Sequence, residues 1–139
     1  MRNRILLWVA LAGIAIISIG GPILAHHSFA AQFDRNKPVT FTGPVTKLDW
    51  INPHARFFLD VKDPASGKVT NWEVELSATA ILTRRGWTRN SLPIGQTITV
   101  SGFLAKDGSN VLNASAVTLP DGKRVFSGDA ETGAPPPPK

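Results

Sequence analysis

Two short segments in the middle of the chain alternate with a period of two, and this pattern decides most of what the chain can fold into. In Arg56-Phe57-Phe58-Leu59-Asp60-Val61-Lys62, Phe57, Leu59 and Val61 fall on one side while Arg56, Asp60 and Lys62 fall on the other. Successive side chains of an extended strand point to opposite faces, so this segment reads as a strand with one face in a core and one in water. Val69 to Leu76 repeats the pattern, with Trp72, Val74 and Leu76 opposed to Asn71, Glu73 and Glu75. Asp63-Pro64-Ala65-Ser66-Gly67 between them has turn composition, which makes the pair a hairpin.

Further strands flank the hairpin. Val39 to Trp50 is rich in Val, Thr and Phe, and Gly43-Pro44 inside it marks a bulge or sharp bend. After the hairpin, Ser77 is placed to cap a short helix over Ala78 to Arg85, with Gly86 closing it. Thr97 to Leu104 follows Pro93-Ile94-Gly95. Val111 to Leu119 is reached through the turn Lys106-Asp107-Gly108-Ser109, and Val125-Phe126 adds a short edge. Three strands, a helix and two strands, with a bend in a long first strand, predict an all-β fold of small α content. It is an OB-like five-stranded β-barrel over residues 39–126, with one short helix between strands 3 and 4. In such a barrel the helix plugs one end, and closure removes exposed strand edges. An immunoglobulin-like sandwich, with seven or more strands, fits these segments less well.

The two ends of the chain read differently. Met1-Arg-Asn-Arg4 is basic, Ile5 to Ile19 carries no charge, and Gly20-Gly21-Pro22-Ile23-Leu24-Ala25 breaks a helix and ends on a small residue. That order is an export signal over residues 1–25, with a cut after Ala25 that makes His26 the new first residue. A cut after Ala30 would remove His26 and His27, and an uncleaved leader would leave a membrane anchor, since Ile5 to Leu24 is long enough to span a bilayer. Residues 26–38 form an N-terminal arm. Residues 127–139, with Pro135 to Pro138 and no aliphatic residue larger than Ala, cannot bury a face and read as a disordered tail. The expected setting is periplasmic or secreted. Of 139 residues, about 114 then remain, enough for one domain. With Cys 0, that domain depends on its core alone. The formal charge of +5 falls to +3 once Arg2 and Arg4 are removed, because 13 basic residues then face 10 acidic ones.

Several short elements carry a resemblance. They are Ala25-His26-His27-Ser28-Phe29-Ala30, Val39-Thr40-Phe41-Thr42-Gly43-Pro44-Val45, Asp49-Trp50-Ile51-Asn52-Pro53-His54, Thr70-Asn71-Trp72, Arg84-Arg85-Gly86-Trp87 and Ala105-Lys106-Asp107-Gly108-Ser109. Together they resemble a family of small exported bacterial proteins known only as a domain of unknown function. The resemblance spans nearly the whole chain after the leader. It implies export and an OB-like barrel, and it supplies no activity, cofactor or catalytic residue. Pro44 stands where a polar or β-branched residue is expected.

The chain has three histidines. A new terminus at His26 would let its α-amine and ring hold one metal ion together, with His27 beside it and His54 as a further nitrogen. An all-nitrogen tetragonal set suits Cu(II), which heads the affinity order of the divalent ions at such sites. The opposing reading makes His26 and His27 solvated arm residues and His54 part of a turn. Catalytic readings have less support. Glu73 and Glu75 share a face, but alternating charges on the wet side of a hairpin account for them. The chain has no Gly-x-Ser-x-Gly and no glycine-rich phosphate loop. Arg84, Arg85 and Arg89 around Trp87 form the densest basic and aromatic cluster. On an OB-fold that would suggest single-stranded nucleic acid, but export and a small positive charge speak against it. In the barrel, Trp87 would cover one end and the arginines would be solvated or pair with Glu73, Glu75 or an anionic surface. The expected function is a monomeric, non-enzymatic binding or envelope module without nucleic acid, and the alternative is a periplasmic Cu(II) or divalent-metal protein using His26, His27 and His54.

Overall fold

The computed structural model describes residues 29–127. The expected leader, His26, His27 and the tail beyond Ser127 lie outside the described residues. The chain runs α1 (Phe29–Gln32), β1 (Phe33–Asp49), β2 (Arg56–Lys62), β3 (Val69–Glu75), α2 (Thr79–Arg84), β4 (Thr97–Ala105), β5 (Val111–Thr118) and β6 (Arg124–Ser127). One six-stranded sheet has the order β3-β2-β1-β4-β5-β6. Neighbours in it are antiparallel, and β3 also pairs with β5 in parallel through Glu73–Val111 and Glu75–Asn113, which closes the sheet into a ring. This is the expected OB-like order of five strands with a helix between the third and fourth, and the short edge at Val125-Phe126 is β6.

Ring closure depends on the long first strand changing partner midway. β1 pairs with β4 from Phe33 to Pro44 and with β2 from Val45 to Asp49. Gly43 sits at the handover, where the backbone carbonyl of Asp60 comes so close that a Cβ would collide with it. Of the bulge or sharp bend expected at Gly43-Pro44, a bulge is found just beyond it, between Val45 and Lys47, where Thr46 is the extra residue. The strand also starts at Phe33 rather than Val39. Phe33 pairs with Ala105, and the ladder then slips before Pro38.

The helix differs from expectation at its start. Its N-cap is Ala78, with no side-chain cap, and Ser77 uses its carbonyl to accept the Ala55 N–H at 3.1 Å. Its end follows the expected chemistry. Gly86 has φ of 85°, its N–H bonds Thr83 O at 3.0 Å, and the Trp87 N–H bonds Leu82 O at 3.0 Å. These two bonds make a Schellman closure, in which a left-handed residue satisfies carbonyls the helix leaves open, and glycine takes that conformation without strain. The turn delivers Leu82 and Trp87 into the core together. Trp87 Nε1 then donates to Val125 O at 2.8 Å, which ties the last strand to the helix end.

The alternating residues meet inside the ring as the sequence predicts. Phe57, Leu59, Val74, Val100 and Leu112 are fully buried there, and Trp50 and Trp72 are partly buried against them. A second apolar group lies outside the ring. Phe29 of α1 packs 5.6 Å from both Phe33 and Phe103, edge-on to the latter, and fastens the N-terminal segment to the sheet's outer face.

Candidate functional site: a polar groove on the outer face of β2 and β3

Residues that pair directly across a ladder share a face, so the β2–β3 register places Arg56 beside Glu75, Phe58 beside Glu73 and Asp60 beside Asn71 on the outside. Asn113 joins them from β5. Arg56 reaches both carboxylates, with Nη1 3.1 Å from Glu73 Oε1 and Nη2 4.0 Å from Glu75 Oε2. Glu75 Oε1 also receives His54 Nδ1 at 3.0 Å and Asn113 Nδ2 at 3.3 Å. Glu73 fits the wet face expected for it. Glu75 does not, since it is only 8% exposed and its neighbour Asn113 4%. The cause is the β3–β5 pairing, which lays β5 along what would otherwise be a free hairpin edge. A carboxylate so withdrawn from water persists only when its oxygens are partnered. Arg56 Nε and Asn113 Oδ1 are buried here without a hydrogen-bond partner.

His54 comes to this carboxylate because its loop is fastened at both sides. Ala55 exchanges backbone bonds with Ser77 O and the Leu76 N–H, at 3.1 and 2.9 Å, and Thr79 Oγ1 donates to Asn52 Oδ1 at 2.7 Å. An ionised carboxylate accepts hydrogen bonds and donates none, so Nδ1 carries the ring proton toward Glu75 and the lone pair of a neutral ring is on Nε2. The imidazole keeps 39% of its surface exposed.

Beside these groups lies an open groove of about 550 Å³. Arg56, Glu73 and Glu75 form one wall, Ala31, Gln32 and Phe33 another, and Lys106, Asp107 and Ser109 of the β4–β5 turn its end. Turn and N-terminal segment are joined, for the Lys106 N–H bonds Gln32 O at 2.9 Å and Lys106 Nζ bonds Ala30 O at 2.6 Å. The turn itself is closed by Asp107, whose carboxylate accepts the Ser109 hydroxyl at 2.6 Å and the Ser109 N–H at 2.9 Å. Those bonds, the hydroxyl's first, hold the Asp107 carboxyl below its usual 3.8. On an OB-fold the strand 2–3 face and the loops after strands 1 and 4 are the ligand-binding elements. Here the same elements carry the groove and His54.

Of the residues singled out in the sequence, His54 is placed at Glu75, whereas His26 and His27 lie outside the described residues. Among the described residues no group of three or more His, Cys, Asp or Glu side chains is placed to hold a metal ion. The carboxylates are engaged by Arg56, and Arg84, Arg85 and Arg89 are exposed. Sequence reasoning missed Asn113 and Lys106. It also missed the His54–Glu75 contact, although carrying the hairpin register from Lys62–Val69 down to Arg56–Glu75 brings His54 within reach of that carboxylate.

Fold and groove together define a small OB-like β domain with a polar, preformed cleft on its strand 2–3 face. Residues 14–113 match the model of a family of unknown function, DUF6152, and the chain belongs to that family. No curated protein matches the sequence. Among solved structures the chain is similar to the mitochondrial single-stranded DNA binding protein Rim1 from S. cerevisiae. The TM-score is 0.47 at 8% identity, over 60% of this chain and 93% of that one. A selenomethionine-labelled crystal of the same protein gives 0.46 at 9%, with the same coverage.

Proposed function

We propose that this protein is an exported, non-enzymatic binding module whose ligand face is the groove between the β2–β3 wall, the β4–β5 turn and the N-terminal segment. The observation that carries this reading is the fixed polar wall itself. Arg56, Glu73 and Glu75 line a cleft of a size for a small ligand or an extended segment, and His54 and Asn113 hold Glu75 in place. Polar groups already oriented lose little freedom on binding, which favours recognition. The export half of the reading rests on the basic, apolar and helix-breaking order of residues 1–25. Nucleic acid is a poor candidate for this face, because Asp60, Glu73 and Glu75 outnumber Arg56 and Lys62 on its outside and repel a phosphate backbone. The metal reading is favoured by one specific observation, the carboxylate on His54 Nδ1.

The face is testable without knowing the ligand. A photoreactive amino acid at position 31, exposed on the groove wall, is expected to give a discrete adduct on irradiation of cells making the protein, read by intact mass. The same group at position 69, also exposed but outside the groove, is expected to give none. Equal adducts at both positions, or none at position 31, would contradict the groove as the ligand face.

A further inference from the structure

We infer that the surface around the end of α2 is a docking site for a bilayer of anionic phospholipid, with Arg84, Arg85 and Arg89 against the headgroups and Ile94 entering the apolar boundary beside them. The charge of this region is one-sided. None of the ten Asp and Glu residues of the chain falls between Leu76 and Lys106, whereas three arginines do. All three are exposed, and among the described residues no ion pair engages Arg84 or Arg89. The backbone that carries them is fixed. The Schellman closure at Gly86 follows Arg85, and the Thr88 N–H donates to Ser91 Oγ at 2.8 Å while the Ser91 N–H donates to Thr88 O at 3.1 Å, which folds the turn holding Arg89. Each arginine held near an anionic membrane raises binding about fivefold.

Apolar surface lies against these cations. Leu48, Leu92, Pro93 and Ile94 line an open pocket of about 310 Å³ together with Arg89 and Asn90, and it shares no residue with the groove on β2 and β3. Ile94 is 63% exposed and Ile51 53%. Ile51 borders the start of α2, since Asn52 beside it accepts the Thr79 hydroxyl, and Ile94 stands with Arg89 just past the helix end. Exposed isoleucines next to exposed cations fit the boundary between headgroups and acyl chains, which accepts both at once. Asp49, next to Leu48 in the chain, holds Lys47 at 2.7 Å, so its charge is offset. Single-stranded nucleic acid fits the cluster less well, because its bases stack on bare aromatic faces. Trp87, the aromatic residue among these arginines, is buried, with its Nε1 donating to Val125 O.

The described fold lies wholly within residues 29–127, so the test uses residues 26–139, from which the apolar leader is absent and cannot itself enter lipid. With vesicles of phosphatidylglycerol and phosphatidylethanolamine, the protein is expected to sediment with the lipid at an ionic strength of about 0.1 M. It is expected to be released at about 1 M, where the screening length falls from about 10 Å to about 3 Å. With phosphatidylcholine vesicles it is expected to stay in solution. Arg84→Gln with Arg89→Gln is expected to weaken binding about 25-fold, and Ile94→Ser about fivefold. Lys62→Gln with Lys68→Gln removes the same charge at the far end of the β2–β3 hairpin, about 20 Å along β2, and is expected to leave binding within about twofold of the parent. All of these positions are exposed, and thermal melts show that each variant folds. Failure to bind the anionic vesicles, equal binding to phosphatidylcholine, or equal losses in the two double variants would overturn the docking surface. A single-stranded oligonucleotide that displaces the parent from the vesicles and no longer binds the arginine variant would also overturn it, and would assign the cluster to nucleic acid.

Discussion

Gly43→Ala is expected to destabilise the fold by about 3 kcal/mol or more, a large effect for the addition of one methyl group. The new Cβ would lie 2.9 Å from the carbonyl carbon of Asp60 and closer still to its oxygen. Both obstacles are backbone, so no side-chain rotation relieves the clash. β1 and β2 would have to separate where β1 passes from β4 to β2, and that passage is what lets the sheet close. Urea unfolding of the variant against the parent measures the cost. A loss below about 1 kcal/mol would mean that the two strands approach less closely than described.

Phe57→Ala is expected to cost about 3 to 5 kcal/mol by the same measurement. Phe57 lies wholly inside the ring, with Leu48 of β1 and Val74 of β3 as its partners across the two ladders. Truncation removes the transfer energy of a buried ring and leaves a cavity walled by three strands that pairing holds in place. Collapse around it is therefore limited, which puts the cost at the upper end of core truncations. A variant that loses less than about 1 kcal/mol would place Phe57 outside the core.

The contrast between Phe57 and Glu75 shows where the sequence was legible. Phe57, Leu59, Val74 and Val100 declare themselves because alternation is local, and a strand of period two has only one way to put them on one face. Gly86 declares the helix end for a similarly local reason. Glu75 follows the same alternation to the outer face, and there local reasoning stops. Whether an outer face is wet depends on what else lies on it, and the covering strand β5 pairs with β3 through a contact between residues 38 apart in sequence, as in Glu75–Asn113. The start of β1 was hidden for another reason. Asp34 to Lys37 is polar throughout and slips in register, so Phe33 stands apart from the pattern that begins at Val39. His54 was recognisable as chemistry from its side chain, but its orientation by Glu75 required the hairpin register.

Export with a cut that leaves His26 first sets both the compartment in which the groove meets its ligand and the free amine that the metal reading requires. Intact mass of the protein recovered from its native cells measures this directly. A mass corresponding to residues 26–139 is the predicted result. A mass that retains Met1 would contradict the cut and make the protein an anchored one, and a mass beginning at Ala31 would remove both His26 and His27 and with them the metal reading.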